Sequence, residues 1–219
     1  MKIHALTLHT NYYAGVLGFY KNTLGLSSFG ENEFQSGDSK LIFRENPQTS
    51  GIYHFAFNIP CNQIREAMRW LQSRGVELVA DAAGNTLIDF PRWNAEAAYF
   101  FDPGGNIVEF IARRDLPNAS DKSFGPDSLL AISEVGIVVP DVLDWNARAA
   151  REYGVFPFEK SPPQVDFSAL GTDEGLFIVV PEGRVWFLTD TPATREPLEV
   201  VFSNRAGKRF AYPSYGFEP

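Results

Sequence analysis

The chain has 219 residues with a single cysteine; 44 % of the residues are hydrophobic, 14 % are aromatic, and the formal net charge is −8 at pH 7. This composition excludes a disordered chain and indicates a substantial core, in one large or two small domains. The acidic balance argues against a nucleic-acid partner, because no basic face is available to neutralise phosphates. The lone Cys61 excludes an internal disulfide framework and a cysteine-rich zinc site.

The sequence shows no sign of a membrane segment or a leader. No stretch approaches the ~20 apolar residues of a membrane-spanning helix. The N-terminal residues MKIHALTLHT lack the continuous apolar stretch and small-residue cleavage site of a signal peptide. We therefore expect a cytoplasmic protein with no membrane partner.

One pattern occurs three times along the chain: a strand, an amphipathic helix, a closing glycine and further short strands. Because each copy has the same order of strand, helix and helix-ending glycine, the pattern predicts an internal repeat of βαβββ units. The first strands are expected at residues 3–10, 52–59 and 132–139, the helices at 12–24, at 62–74 and from Asp141 or Asp144 to 153, and the closing glycines are Gly25, Gly75 and Gly154.

Short strands separated by turn residues follow each helix. They are expected at residues 26–30, 33–35 and 40–44, at 77–80, 86–90, 98–101 and 106–112, and at 156–159, 167–171, 176–181 and 184–188. A fourth unit survives only as the strand 197–202, and an aromatic tail follows at 210–217.

These units predict an α+β fold in which two units pair into an open, cup-shaped sheet. We expect residues 1–114 to form a domain of two units and residues 115–127, rich in Pro, Asn, Asp, Ser and Gly, to form a linker. Residues 128–219 then hold the third unit, the vestigial fourth and the tail. The concave face of the third unit should be covered by the C-terminal segment or by another subunit, since its apolar strands would otherwise be exposed.

Two strands each carry one metal-capable side chain in an apolar run. Strand alternation places His54 on the small, polar face of its strand, away from the packing phenylalanines. Glu109 shares a face with Ile107 and Ile111, where a carboxylate is costly to bury unless it is paired or bound to a cation. Two interpretations stay open: an ordinary core histidine with an arginine-paired glutamate, or two ligands of one metal ion.

The segments 17–26, 53–60 and 101–113 resemble the vicinal oxygen chelate superfamily of glyoxalase I, bleomycin-resistance and extradiol-dioxygenase proteins. The resemblance implies a cup whose floor holds a divalent metal ion, such as iron, manganese, zinc or nickel. His54 matches the ligand on the first strand of unit two, and Glu109 matches the ligand on its last strand. The superfamily's iron dioxygenases use two histidines and one carboxylate, leaving positions open for a substrate with two adjacent oxygens.

The sequence departs from this pattern in the first unit. The first-strand ligand position falls on Ala5, so the neighbouring His4 becomes the third candidate ligand if a one-residue bulge turns it into the cup. The position on the last strand falls near Ile42, which is no ligand. In the third unit Glu134 stands where His54 stands in the second, and we interpret it as a paired charge.

Two functions follow from the resemblance. The first is a glyoxalase- or dioxygenase-like metal-dependent enzyme, a lyase or an extradiol-type dioxygenase, that acts on a small organic substrate chelated through adjacent oxygens. Its metal ligands would be His54, Glu109 and His4, and no general base can be named. The alternative is a metal-free drug-binding module of the bleomycin-resistance type, and a third reading is a scaffold whose site has decayed. In each case we expect a small-molecule partner and a homodimer.

Overall fold

The computed structural model describes residues 1–49 and 51–213, which form a mixed α+β structure with two sheets. Unit one comprises β1 (Lys2–Thr10), α1 (Tyr13–Gly18) with a π-helical continuation (Phe19–Thr23), β2 (Ser27–Ser28), β3 (Glu33–Ser36) and β4 (Ser39–Glu45). Unit two comprises β5 (His54–Ile59), α2 (Ile64–Ser73), β6 (Leu78–Val79), β7 (Ile88–Phe90), β8 (Ala95–Phe101) and β9 (Ile107–Arg113). Unit three comprises β10 (Ala131–Val139), α3 (Val142–Tyr153), β11 (Ser168–Thr172) and β12 (Gly175–Pro181), and β13 (Leu198–Ser203) and β14 (Arg209–Pro213) follow.

The helix ends follow local sequence signals. Asp141 caps α3 by accepting a hydrogen bond from the Asp144 amide at 2.8 Å, and Gly154 ends that helix with a φ of 63°. This φ lies in the left-handed region that glycine adopts without a steric penalty. The helix α2 begins at Ile64, after Gln63 rather than at Asn62.

The predicted repeat is confirmed, because in every unit the first strand pairs in parallel with the last. These pairs are β1 with β4, β5 with β9, and β10 with β12. In each unit the helix leads the chain out of the first strand, and the later strands bring it back beside that strand in the same direction.

The expected pairing of units one and two in one sheet is wrong. The eight-stranded sheet has the order β11-β12-β10-β5-β9-β8-β6, with β7 also on β8, so it joins unit two to unit three. The six-stranded sheet has the order β14-β13-β1-β4-β3-β2 and joins unit one to the fourth-unit remnant. Within each unit the first strand pairs on one side only, so its other edge is free to pair with another unit. The alternation of residues within a strand does not specify which unit that is. The division of the chain at residues 115–127 stays a prediction.

Two apolar clusters divide the interior. The larger one lies between the two sheets and includes Phe55, Phe57 and Ile59, the packing face predicted for β5. The smaller one covers the opposite face of the eight-stranded sheet and includes Ala56, Ile107 and Ile111. The alternation of β5 and β9 therefore brings their polar members onto this second face.

A loop covers the second face where strands were expected. Residues 156–159 and 184–188 form no strands, only the isolated bridges Pro157–Leu170 and Val185–Pro192. Residues 182–197, the covering segment, place Trp186 and Ala193 in the smaller cluster, over unit three. Of the aromatic tail, residues 210–213 lie in β14, and the remainder is outside the described residues. Among the described helices, none has the length and apolar character of a membrane span.

Candidate metal centre

Three neighbouring strands bring three polar side chains onto the face of the eight-stranded sheet that carries the smaller apolar cluster. In the registers of β5, β9 and β10, Ala56 is the partner of both Glu109 and Glu134. The methyl group of Ala56 leaves space above the central strand, so the two flanking carboxylates can approach each other. His54 precedes Ala56 by two residues and therefore points to the same side.

These three side chains form one buried cluster. The His54 Nε2 atom lies 3.7 Å from Glu109 Oε2 and 3.9 Å from Glu134 Oε2. One ligand atom from each residue lies within 4.8 Å of those of the other two. Glu109 is only 1 % exposed and Glu134 only 2 %, so water does not screen the carboxylates from each other.

The orientation of the His54 ring leaves one nitrogen for the cluster. Its Nδ1 atom lies 3.2 Å from the Ile107 carbonyl oxygen, which can only accept a hydrogen bond. Nδ1 is therefore the protonated nitrogen, and the remaining Nε2 faces the two carboxylates. A backbone partner on one ring nitrogen that fixes the other as a ligand is typical of metal-binding histidines.

The Glu109 carboxyl is costly to ionise in this place. Burial, followed by the charge of Glu134, raises the pKa of Glu109 well above its usual value, whereas Arg113 and the Tyr99 phenol act in the opposite direction. Burial likewise raises the pKa of Tyr99, so its hydroxyl stays protonated. Within the described part of the chain, Glu109 Oε2 has no hydrogen-bond partner. A buried acceptor without a donor marks a place that a cation could fill.

Glu134 is anchored from behind by a second row of charges. The Arg113 guanidinium, fully buried, donates to Glu134, lies 3.3 Å from Ser133 Oγ through Nε, and lies 3.6 Å from Asp173 through Nη1. Lys160 continues the row, 2.7 Å from Asp173. Alternating signs along this row offset the cost of burying the charges and hold the Glu134 carboxylate in place.

A cavity of about 300 Å³ opens over the cluster. Its volume is at the lower end of the range for small-molecule sites, which are mostly apolar with a few polar groups. Its walls are formed by Phe90, Trp93, Tyr99, Ile107, Phe167, Ile178, Trp186 and Phe187, with Ser161, Gln164 and Arg184 as further polar members.

The three ligand candidates from the sequence end in different places. His54 and Glu109 lie together as expected, and their role as metal ligands stays a prediction. His4 does not join them: β1 has the hypothesised irregularity between Ile3 and Ala5, but this strand belongs to the six-stranded sheet. There His4 Nε2 lies 2.9 Å from Ser203 Oγ. His4 was expected beside His54 because units one and two were expected to share one sheet, and they do not.

Glu134 is the cluster member that the sequence analysis set aside. It is a paired charge, as interpreted, because one carboxylate oxygen meets Arg113, but its other oxygen faces His54. A register shift between Ile132 and Glu134 accompanies its position in β10. The available signal was its place in the repeat, equivalent to that of His54.

One nitrogen and two carboxylate groups form a donor set that suits iron, manganese or zinc. The orphaned Glu109 oxygen, the fixed Nε2 and the two converging carboxylates fit such an ion. Three protein groups do not fill the coordination shell of such an ion, so positions on the ion would remain for a substrate.

Comparison with known proteins adds the fold but no closely related sequence. No family model and no curated protein matches the chain. A predicted dioxygenase of Bacillus subtilis is 13 % identical, and the match covers 97 % of this chain and 84 % of that one with a TM-score of 0.58.

Shorter structures match about half of the chain. An integron cassette protein from the Halifax Harbour sewage outfall is 20 % identical over 50 % of this chain and 97 % of that one, with a TM-score of 0.45. A lactoylglutathione lyase of Agrobacterium tumefaciens is 19 % identical over 49 % of this chain and 90 % of that one, with a TM-score of 0.40. The Bacillus subtilis structure shows the same fold over 97 % of this chain, and none of these identities transfers an activity.

Proposed function

We propose that this chain, which has the fold of the vicinal oxygen chelate superfamily, is a metal-dependent enzyme for a small organic substrate that binds through two adjacent oxygens. His54, Glu109 and Glu134 would hold a divalent ion of iron, manganese, zinc or nickel. The reaction class, a lyase or a dioxygenase, belongs to the same proposal. The observation that carries it is the convergence of two buried carboxylates and a free imidazole nitrogen on one point.

This convergence is electrostatically unfavourable without a cation. Two unit charges within 4.8 Å of each other repel by about 3 kcal/mol at an effective dielectric constant of ~20. Arg113 offsets part of this repulsion through Glu134, but Glu109 Oε2 accepts no hydrogen bond from any of the described residues. A divalent ion would satisfy that oxygen and both charges together.

The protein groups around the cluster have separate tasks. A bound ion would polarise the substrate oxygens as a Lewis acid. His54 and Glu109 would set its place, and the Ile107 carbonyl keeps the imidazole in the required tautomer. Trp186 lies over His54, with ring centroids 5.5 Å apart, and together with the other aromatic walls it excludes water from the reacting centre.

Metal binding tests the proposal directly. Elemental analysis of protein purified without chelators and calorimetry with iron, manganese, zinc and nickel should show a bound divalent ion. Glu109→Gln keeps the shape but removes the charge, so it should weaken metal affinity at least about tenfold. Glu96→Gln is the matched control, because Glu96 pairs with Arg114 at 2.8 Å outside the cavity. If the wild type binds none of these ions, the enzyme proposal fails.

The alternative, a metal-free binding module, is favoured by a different observation. Arg113 already neutralises Glu134, and a protonated Glu109 would carry no charge. The aromatic cavity would then sequester an apolar ligand without chemistry. Ligand binding that is unchanged by chelators and by Glu109→Gln would select this alternative.

The cytoplasmic location and the homodimer remain part of the proposal. Both are expectations from the sequence. Light scattering of the purified protein checks the dimer, since a molar mass near that of one chain at all concentrations contradicts it.

A further inference from the structure

Arg184 is the permanent cation among the residues that line the cavity. Its ion pair in the described part of the chain is long and exposed, with 3.7 Å between Nε and Asp166 Oδ2. The guanidinium also lies over the Phe167 ring, with its central carbon 5.3 Å from the ring centroid. A cation–π contact of this kind leaves the guanidinium N–H groups available for a partner.

The exposure of the lining residues places Arg184 at the open end of the cavity. Its side chain is 31 % exposed, whereas Glu109 and Glu134 at the floor are almost fully buried. A ligand that touches both ends therefore has one group inside and another group near solvent. The aromatic walls between these ends suit a flat, largely apolar body.

Trp186 in the same wall carries a donor without an acceptor among the described residues. Trp186 is buried against His54, and its indole Nε1 has no hydrogen-bond partner among the described residues. Buried Trp N–H groups usually find an acceptor, so this donor is available to a water molecule or to an oxygen of a ligand.

The charge at the floor decides which ligands are admitted. Glu109 and Glu134 would repel an anion in the absence of a cation, while Arg184 attracts one at the mouth. A divalent ion at the floor would neutralise the two carboxylates, so the floor would no longer repel an anion and would offer coordination positions to oxygen ligands. The cavity then suits a ligand that carries negative charge or acceptor oxygens at both ends.

We propose that Arg184 is the specificity-determining residue of this cavity and that it binds an anionic group, such as a carboxylate, on a small planar substrate. This inference rests on the proposed function for the floor, where the two adjacent oxygens of the same substrate would bind. A planar carboxylate would meet the guanidinium through paired hydrogen bonds.

Four probes separate the two ends of the cavity. Catechol has two adjacent oxygens without a carboxylate, 2,3- and 3,4-dihydroxybenzoate add the carboxylate in two places, and benzoate has only the carboxylate. Their affinities are measured by calorimetry on manganese-loaded and metal-free protein. The proteins are the wild type, Arg184→Met, Arg184→Lys and the control Arg114→Met, whose charge lies outside the cavity.

The wild type should bind one of the dihydroxybenzoates at least about tenfold more tightly than catechol, as expected for a charge-assisted hydrogen bond. In Arg184→Met this ratio should fall to about one while the catechol affinity stays the same; Arg184→Lys should lie between, since it keeps the charge but loses the paired geometry. The control should behave as the wild type.

The outcomes distinguish this inference from the proposed function. If catechol requires the metal but the wild type shows no carboxylate preference, or Arg184→Met retains it, the inference about Arg184 is overturned and the metal site stands. If no probe responds to metal, yet benzoate binding is lost in Arg184→Met, the metal site fails and the role of Arg184 stands. Absence of binding by every carboxylate probe at millimolar concentration also overturns the inference.

Discussion

Glu109 combines the two properties that make a buried carboxylate informative: an oxygen without a donor and a neighbouring negative charge. The isoleucines on either side of it in β9 remove water from the carboxylate, and Glu134 lies across Ala56. In the absence of a bound ion, such a residue lowers the stability of the fold. The proposed divalent ion would need this charge and would offset its cost.

The pH dependence of stability should report this cost. The pKa of Glu109 is raised above its unfolded value near 4.5, so its contribution is fully present below that pH and is lost as the pH rises through the folded pKa. Chelator-treated wild type should therefore lose unfolding free energy relative to Glu109→Gln as the pH rises above about 4.5, by about 1.4 kcal/mol for each unit of pKa elevation. Urea unfolding measures this, and parallel pH profiles of the two proteins would contradict it.

Arg113 is expected to be a positioning residue for Glu134. Replacing it with methionine leaves a carboxylate buried without a partner, which should lower the unfolding free energy by about 3–5 kcal/mol. Adding Glu134→Gln should recover part of that loss. The neighbouring Arg114→Met removes a half-exposed pair and should cost no more than about 1 kcal/mol. Equal losses for Arg113→Met and Arg114→Met in denaturant unfolding would refute this role.

At the residue scale, the sequence could predict which face of the sheet a side chain lies on when the alternation within its own strand decides it. Alternation placed His54 and Glu109 on the face opposite the phenylalanines, and this is what β5 and β9 show. His4 and Glu134 could not be assigned in the same way. Their surroundings depend on which strand lies next to β1 and β10, and that is a tertiary property.

At the scale of elements, β10 and the covering segment meet at one glycine. A Cβ added to Gly136 would lie 2.7 Å from the Trp186 ring and 3.2 Å from the His54 carbonyl oxygen. The indole occupies the space of the missing side chain. This close approach seats Trp186 over His54 and forms the wall of the cavity.

Gly136→Ala should therefore displace Trp186. We expect a shift in tryptophan fluorescence, a several-fold loss of affinity for a cavity ligand, and a loss of about 1–3 kcal/mol of stability through overpacking. Gly125→Ala is the control, because Gly125 has an extended φ of −165° and open space at the Cβ position. Unchanged fluorescence in Gly136→Ala would show that the indole does not depend on this contact.

The covering segment also shows where strand prediction fails. Residues 184–188 alternate as a strand would, with Trp186 buried and Val185 and Phe187 about half exposed. However, β12 already lies between β10 and β11, so it offers no free edge to a further strand. The segment instead crosses the face of the sheet that carries the smaller cluster, and its alternation buries Trp186 there.

At the scale of the molecule, the repeat could be predicted from the sequence, but which units share a sheet could not. Each unit contains its own parallel pair of strands, and the glycine that ends its helix is recognisable within that unit's own sequence. The pairing of first strands across units joins β5 to β10 and β1 to β13. As a result the cluster needs two residues of unit two and one residue of unit three.

A cross-strand disulfide tests this pairing. Thr7 and Glu199 are directly opposite each other in the antiparallel pair β1–β13, where Cα atoms lie about 4.5–5.5 Å apart, within disulfide range. In a Cys61→Ser background, Thr7→Cys with Glu199→Cys should form an intramolecular disulfide on mild oxidation. Thr7→Cys with Glu96→Cys, whose strands lie in different sheets, should not. Mass spectrometry of the monomeric fraction distinguishes the two pairs.

The most direct test of the account is the position of a metal ion in the folded protein. Crystals grown with manganese(II), measured for anomalous scattering, should show one peak bonded by His54 Nε2 and by carboxylate oxygens of Glu109 and Glu134. The same experiment on Glu109→Gln should show a weaker peak or none there. A wild-type map without a peak in this cluster, or with the ion bound elsewhere in the chain, would contradict the proposed metal centre.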